Sequence, residues 1–164
     1  MTTIVLPEQR VAVGREGRGL EIVLPRAATR GAAAVMACTI PAATAGPPVH
    51  VHPESDETFF MLSGALLVYL DGRVTRITEG TLVHVSRGTP HTFATPVDGA
   101  ASFLAWLTPG GFEEFHIAAA RAEQEQGGPL SRDDLIALAQ GFDWQLAGPP
   151  LLPTGALLPA AQVP

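Results

Sequence analysis

Short runs of apolar residues, separated by glycine, proline and other turn-forming residues, dominate the chain between residues 11 and 106. This pattern predicts β-strands at 20–24, 33–40, 49–52, 58–62, 65–70, 73–78, 82–85, 91–94 and 101–107. Asp71-Gly72 is the strongest hairpin signal, because Asp-Gly suits the positive φ angles of a type I′ turn. So many short strands favour a mainly β fold, built as a sandwich or a barrel.

The pattern changes to helical spacing after residue 111. A first helix is predicted over 112–125, with Glu113 and Glu114 at the positive end of its dipole. Ser131 is a suitable N-cap for a second helix that continues through Gln140. From residue 148 onward the chain is punctuated by proline, and the sequence leaves open an extended arm or a disordered tail.

The chain has 164 residues, enough for one domain with a hydrophobic core. We predict a β-barrel domain over 1–110, with its core motifs in 46–95. A helical extension would follow over 111–141, and a proline-rich tail over 142–164.

Composition narrows the classes of function. Apolar residues make up 46% of the chain and charged residues 16%, which is typical of a globular protein. The net charge is −6 and the ten basic residues, all arginines, are scattered, so a nucleic-acid partner is not expected. The absence of lysine beside abundant alanine, glycine, proline and arginine indicates a GC-rich bacterial genome.

Cysteine content and hydropathy bear on location. Cys38 is the single cysteine, so no intramolecular disulfide can form, which fits the cytoplasm. The N-terminal segment lacks the pattern of a secretory signal, and no run of about 18 apolar residues predicts a membrane span. We therefore expect a cytoplasmic protein without a membrane partner.

Three histidines and one glutamate form the candidate chemistry. His50 and His52 are two residues apart, so on a strand their side chains point to the same face. Glu57 opens the next predicted strand, and His91 begins a later one. Imidazole and carboxylate ligands suit a divalent transition metal such as Ni, Fe, Mn, Co or Zn. We predict that these four side chains bind one metal ion and leave coordination positions open.

Other polar residues have plainer interpretations. Glu54 and Asp56 lie in the predicted turn before Glu57 and are interpreted as solvent-facing. Cys38 is interpreted as a packed thiol. His84 and His116 are interpreted as ordinary core or surface histidines.

The metal-site residues resemble the two signature motifs of the cupin superfamily. Four residues match the first motif and three match the second: His50, His52, Glu57 and Gly64, then Gly80, Gly88 and His91.

Some motif positions depart from the family pattern. The glycine that the first motif expects where Thr44 stands comes two residues late, at Gly46. In the second motif Ser86 replaces a proline and Thr95 replaces an asparagine. These departures fall in turns and at strand ends, and they leave the four proposed ligands intact.

The resemblance covers roughly residues 20–110. Together with the turn and two helices that follow, the chain is similar to small single-domain bacterial cupins related to quercetin 2,3-dioxygenase. The resemblance implies a double-stranded β-helix, which is a jelly-roll barrel, with a metal at its centre and two short C-terminal helices. It also implies a homodimer.

Our first functional hypothesis is a metal-dependent dioxygenase of the quercetinase-like type, which would act on an aromatic or enol small molecule with dioxygen. Glu57 would also serve as a catalytic base. Phe59, Met61 and Phe93 share faces with the ligands and would line the substrate pocket, although ordinary barrel packing explains the same residues.

Two alternatives remain open. The same site could support a non-oxidative isomerisation, cyclisation or dehydration in small-molecule biosynthesis, with the metal acting as a Lewis acid. It could also belong to a binding module that holds a small ligand without turnover.

Overall fold

The computed structural model describes residues 3–14 and 18–159, and its strands form two packed layers. The strands are β1 (Val11–Ala12), β2 (Gly19–Leu24), β3 (Ala34–Ile40), β4 (Pro48–Val51), β5 (Asp56–Leu70), β6 (Arg73–Thr78), β7 (Leu82–Val85), β8 (His91–Ala94), β9 (Ala101–Thr108) and β10 (Gln145–Pro150). The helices are α1 (Glu113–Gln126) and α2 (Arg132–Ala139), and short 3-10 turns cover Pro7–Gln9 and Arg26–Thr29.

The long strand β5 joins the two layers. Its first half pairs with β9 and β7, and its second half pairs with β6 and β8. The first layer continues outward from β9 through β3 and β2 to β1, and the second continues from β8 through β4 to β10. The predicted mainly β jelly roll with two short helices is therefore confirmed.

The prediction of two separate strands at 58–62 and 65–70 was wrong. β5 runs unbroken through both, and its pairing with β9 shifts register between Met61 and Ser63. Gly64 has a φ of 75°, and a Cβ atom there would lie 1.9 Å from the carbonyl oxygen of Ala100. Glycine therefore bends the strand from one layer into the other without ending it.

The predicted hairpin at Asp71-Gly72 is confirmed. Leu70 pairs with Arg73, and the two turn residues have φ angles of 50° and 76°. Positive φ at both positions is what a type I′ turn requires.

Aromatic and aliphatic side chains fill the space between the layers. Phe59, Met61, Leu66, Phe103 and Leu107 are all at most 1% exposed. Phe59 and Phe103 meet edge to face, with ring centroids 5.8 Å apart. Such aromatic contacts stabilise the core beyond the burial of apolar area alone.

The helices begin where the sequence predicts. Ser131 caps α2, because its side chain accepts a hydrogen bond from the amide of Asp134 at 3.1 Å. Neither helix has the length and apolar surface that a bilayer-spanning helix needs, a statement that covers the residues described above.

The start of α1 is tied to the jelly roll by a buried carboxylate. Glu113 is completely buried. One of its oxygens accepts the amide of Arg26 and the other accepts the amide of Gly111, both at 2.8 Å. Glu113 therefore does more than complement the helix dipole, because it satisfies two backbone N–H groups in separate segments.

The chain after α2 is an extended arm as far as residue 159. β10 pairs with β4, and Leu151 forms an isolated bridge with Leu157. Residues 160–164 of the predicted tail lie outside the described residues. Because β4 carries His50, this arm packs beside the candidate metal site.

We expect Glu113→Ala to lower the free energy of unfolding by about 3 kcal/mol, because it removes the acceptor of two part-buried backbone hydrogen bonds. Glu114→Ala is the matched control, since the neighbouring side chain is only half buried. Urea titration followed by circular dichroism measures both variants. Equal losses in the two variants would contradict a specific role for Glu113.

Candidate metal centre

Three strands deliver the four predicted ligands to one place. His50 lies in β4 and His52 directly follows it. His91 is the first residue of β8 and is the direct partner of His50 across the two strands. Glu57 points inward from the start of β5. One nitrogen or oxygen atom from each of these residues lies within 4.8 Å of all the others.

The cluster is shielded from solvent. His50, His52, Glu57 and His91 are 5%, 2%, 7% and 1% exposed. Buried polar groups are costly unless they are paired or coordinate a metal. The burial of these four polar side chains beside one another therefore needs a common explanation.

Backbone carbonyls orient the rings of His50 and His91. Each ring places its Nδ1 atom against the carbonyl oxygen two residues earlier, at 2.8 Å for His50 and 2.9 Å for His91. A carbonyl can only accept, so Nδ1 carries the proton and donates it. The Nε2 atom of each neutral ring then carries no proton, and its lone pair faces the cluster.

A carbonyl from the distant C-terminal segment orients His52 in the same way. Its Nδ1 donates to the backbone oxygen of Asp143. Asp143 is held in turn, because its Oδ1 accepts the amide of Glu54 at 2.9 Å. The Nε2 of His52 is buried and has no hydrogen-bond partner among the described residues.

Glu57 completes the set as the only carboxylate. Its Oε2 lies 2.8 Å from Nε2 of His91 and 3.6 Å from Nε2 of His52. With Nδ1 as the donor in each ring, these nitrogens and the carboxylate are all acceptors. A cation held between them resolves that conflict, so the donor set fits a divalent metal.

The electrostatics favour the metal-binding form of His50 and Glu57 and oppose it at His52. Burial, with the neighbouring His91 and His52, lowers the pKa of His50 to about 3. Burial raises the pKa of Glu57, but the adjacent His52 and His91 outweigh it and hold the pKa below its usual range. Burial lowers the pKa of His52, yet the Glu57 carboxylate leaves it above its usual value. At neutral pH, His50 is therefore neutral and Glu57 is ionised.

Two aromatic rings from the C-terminal region cover the histidines. Trp144 stacks on His50, with centroids 5.7 Å apart and planes 23° apart. Phe112 meets His52 edge to face at 4.6 Å. The sequence analysis did not identify Trp144. The available signal was an isolated tryptophan between a helix and a proline-rich segment, which indicates that this segment packs against the rest of the protein.

A cavity of about 580 Å³ opens from the cluster. Two of the three predicted substrate residues, Phe59 and Phe93, line it, and their rings meet edge to face at 5.7 Å. His50 and Glu57 lie in the same wall, so a bound molecule would reach the metal ligands. The lining is mainly apolar, which is typical of small-molecule sites.

Met61 is placed differently from the prediction. Its side chain is completely buried in the core and does not belong to the described lining of the cavity. Met61 comes four positions after Glu57, which is about 13 Å along an extended strand. Met61 therefore packs in the core beyond the cavity.

The other candidate ligands lie outside the cluster. Asp56 accepts Nε and Nη2 of Arg87 at 3.1 and 3.2 Å, and Glu54 is exposed. His84 is exposed and lies 3.0 Å from the hydroxyl of Thr58. Cys38 lines the cavity, and burial raises the pKa of its thiol, so the thiol stays protonated.

His116 is a cavity residue that the sequence analysis set aside. It lies on α1, lines the cavity and contacts the rings of Phe112 and Phe115, at 5.4 and 5.0 Å. Phe112 in turn touches His52. The available signal was its position four residues after Phe112, on the same face of a helix.

Comparisons with known proteins identify the domain. Residues 36–107 match the family described as "Cupin domain". No curated protein matches the sequence significantly.

Several solved structures share the fold. KdgF from Halomonas sp. is 17% identical, with a TM-score of 0.57 over 66% of this chain and 94% of its own. The polyketide cyclase RemF from Streptomyces resistomycificus is 20% identical, with a TM-score of 0.55 over 66% of this chain and 80% of its own. The nucleoside dehydratase Pac13, from Streptomyces, is 15% identical, with a TM-score of 0.54 over 70% of this chain and 88% of its own.

These identities are low, so the three structures establish a shared fold and do not establish a shared reaction. The cupin family match, on the other hand, spans every member of the histidine and glutamate cluster. From that match and the shared jelly roll, we conclude that residues 36–107 form a cupin domain.

Proposed function

We propose that this cupin is a metal-dependent enzyme that transforms a small, largely apolar molecule carrying an enol, carbonyl or aromatic hydroxyl group. One observation carries the proposal. Four buried ligand atoms, within 4.8 Å of one another, border an apolar cavity of about 580 Å³. A site built only to stabilise the fold would not need a cavity of this size beside it.

His50, His52, Glu57 and His91 would hold the metal, and when bound it would supply a Lewis acid for a substrate oxygen. The orienting carbonyls keep the three Nε2 atoms directed at one point, so little reorganisation is needed on binding.

The cavity residues would bind and orient the substrate. Phe59 and Phe93, with Phe103 between the sheets, offer ring faces and edges to an aromatic or enol substrate. These rings also exclude water from the ligand end of the cavity. Met61, in the core beyond the cavity, is not part of this proposal.

Two side chains that border the cavity are candidates for proton transfer. Glu57 borders the cavity and was predicted as the base, but as one of the four proposed ligands its carboxylate would be engaged by the metal. His116 borders the same cavity and is not one of the four ligands. Histidine is the commonest general acid or base near neutral pH, so we assign the proton transfer to His116.

We favour a reaction that does not consume oxygen, such as cyclisation, dehydration or isomerisation. RemF is a polyketide cyclase and Pac13 is a nucleoside dehydratase, so this fold accommodates both reactions. The likeness supports the class of reaction and does not identify the substrate.

A dioxygenase of the quercetinase-like type is the second candidate. The nitrogen-rich ligand set favours it, because three imidazoles and a carboxylate also suit redox-active Fe, Mn, Co or Ni. The homodimer, the cytoplasmic location and the involvement of dioxygen remain predictions.

Turnover with and without oxygen separates the two candidates. The metal-loaded protein is incubated with a panel of enols, flavonols and hydroxylated polyketides, first anaerobically and then in air, and products are analysed by mass spectrometry. We expect anaerobic products that have lost water or are isomers of the substrate. Products that contain two added oxygen atoms, formed only in air, would favour the dioxygenase instead.

Metal should stabilise the fold through the four-residue cluster. At a free metal concentration about 100 times the dissociation constant, the free energy of unfolding should rise by about 2.7 kcal/mol. Glu57→Gln changes a proposed ligand itself. Its affinity for the metal should therefore fall by more than the about 10- to 100-fold that typically follows loss of a residue that hydrogen-bonds to a ligand.

His84→Gln is the control for that experiment, because His84 is exposed and lies outside the cluster. Elemental analysis and thermal melting with Zn, Mn, Fe, Co and Ni give the readout. Full metal content in the Glu57→Gln protein would contradict the proposed ligand set.

His116→Gln should slow turnover about a hundredfold while leaving the metal content unchanged, because general acid or base catalysis contributes at least about this much. The measured quantities are kcat for a panel compound that the wild-type protein converts, and bound metal by elemental analysis. An unchanged kcat would return the proton transfer to Glu57.

A further inference from the structure

One face of α2 forms part of the cavity wall. Arg132, Leu135, Ile136 and Ala139 all line the cavity. Their spacing of three, four and seven residues places them on one side of a helix. Three of the four are apolar, as most of the cavity lining is, and Arg132 at the start of the helix carries a guanidinium group.

The stability of α2 does not explain why Arg132 lies at this position. Arg132 is half buried and makes no hydrogen bond or ion pair with any residue in the ranges 3–14 and 18–159. It occupies the first turn of α2, where the positive end of the helix dipole disfavours a cation. Asp133 and Asp134 already complement the dipole there, so a charged residue facing the cavity is not needed for helix stability.

The charges around the cavity are uneven. Within the described lining, the side chains with a formal charge are Glu57, Arg18 and Arg132. Glu57 belongs to the metal cluster. Arg18 donates one guanidinium nitrogen to the carbonyl of Ala45 at 3.0 Å and adds a second positive charge. Away from the metal ligands, the side chains with a formal charge in the described lining are therefore both arginines.

Backbone hydrogen bonds connect the C-terminal end of α2 to a residue that stacks on a proposed metal ligand. The carbonyl of Ala139 accepts the amide of Phe142, and the carbonyl of Phe142 accepts the amide of Trp144. Trp144 stacks on His50, so the end of α2 lies near the metal cluster. Arg132 is seven residues back, which is about 10 Å along the helix axis.

We propose that the substrate is an acid, and that Arg132 binds its carboxylate about one fused-ring system away from the group that meets the metal. The assignment of a substrate to this cavity rests on the proposed function. Guanidinium groups bind carboxylates through charge-assisted, often bidentate hydrogen bonds. The apolar wall formed by Leu135 and Ile136 would contact the rings between the two ends.

Two probes that differ only in charge test this. One is a hydroxynaphthoate whose hydroxyl and carboxylate lie at opposite ends of the fused rings, and the other is its neutral carboxamide. Isothermal titration calorimetry with the metal-loaded protein gives both affinities. We expect the wild-type protein to bind the acid about tenfold more tightly than the amide, because a charged hydrogen bond contributes about that much.

Substitution of the arginine should remove this preference. Arg132→Gln should bind acid and amide equally, and Arg132→Lys should keep part of the preference for the acid. Arg121→Gln is the matched control, since Arg121 is an exposed helical arginine outside the described lining of the cavity. It should behave as the wild-type protein does. Circular dichroism checks that each variant is folded.

Three outcomes would overturn the proposal. The wild-type protein could bind the amide as well as the acid. Arg132→Gln could keep the full preference for the acid, which would place the carboxylate on the metal ion or on Arg18. The third outcome is that neither probe binds, which would reject an aromatic acid as the ligand. None of these results changes metal content or turnover, so failure here is distinguishable from failure of the proposed function.

Discussion

Three backbone carbonyls determine what the histidine cluster can do. Each accepts the Nδ1 proton of one imidazole and so leaves the Nε2 lone pair facing the interior. Without these bonds a neutral imidazole can place its proton on either nitrogen, and a buried cluster could pair His with Glu through hydrogen bonds alone. With them, three nitrogen acceptors and the Glu57 carboxylate converge on one point, and a cation is what that point can hold.

That constraint joins the C-terminal segment to the jelly roll. Two of the carbonyls lie two residues before their histidines, but the third belongs to Asp143, which is 91 residues from His52 in the sequence. The same segment stacks Trp144 on His50 and pairs β10 with β4. The segment after α2 thus helps to orient two ligands and encloses one side of the cavity. Loosening it would alter the metal ligands and the cavity together.

The sequence predicted what local spacing determines. The pair His50 and His52, the hairpin at Asp71-Gly72 and the cap at Ser131 each follow from a few neighbouring residues, and the cupin resemblance supplied their arrangement. The continuity of β5 was missed, because a glycine after serine normally signals a turn and here permits a bend within a strand. His116, Arg132 and Trp144 were missed because their proximity to the site depends on how two helices and an arm pack on the jelly roll. No short-range pattern encodes that packing.

The distribution of charge in the cavity follows from the same packing. The residues of the histidine and glutamate cluster lie on the jelly-roll strands or directly after one, whereas Arg132 and His116 lie on helices. The strands therefore supply the histidine and glutamate cluster, while the helices that close the cavity supply further polar side chains. RemF and Pac13 share the jelly roll with this chain, and a shared fold does not determine the reaction. For this chain, residues that could select a substrate lie on α1 and α2, because these helices bring His116 and Arg132 into the cavity lining.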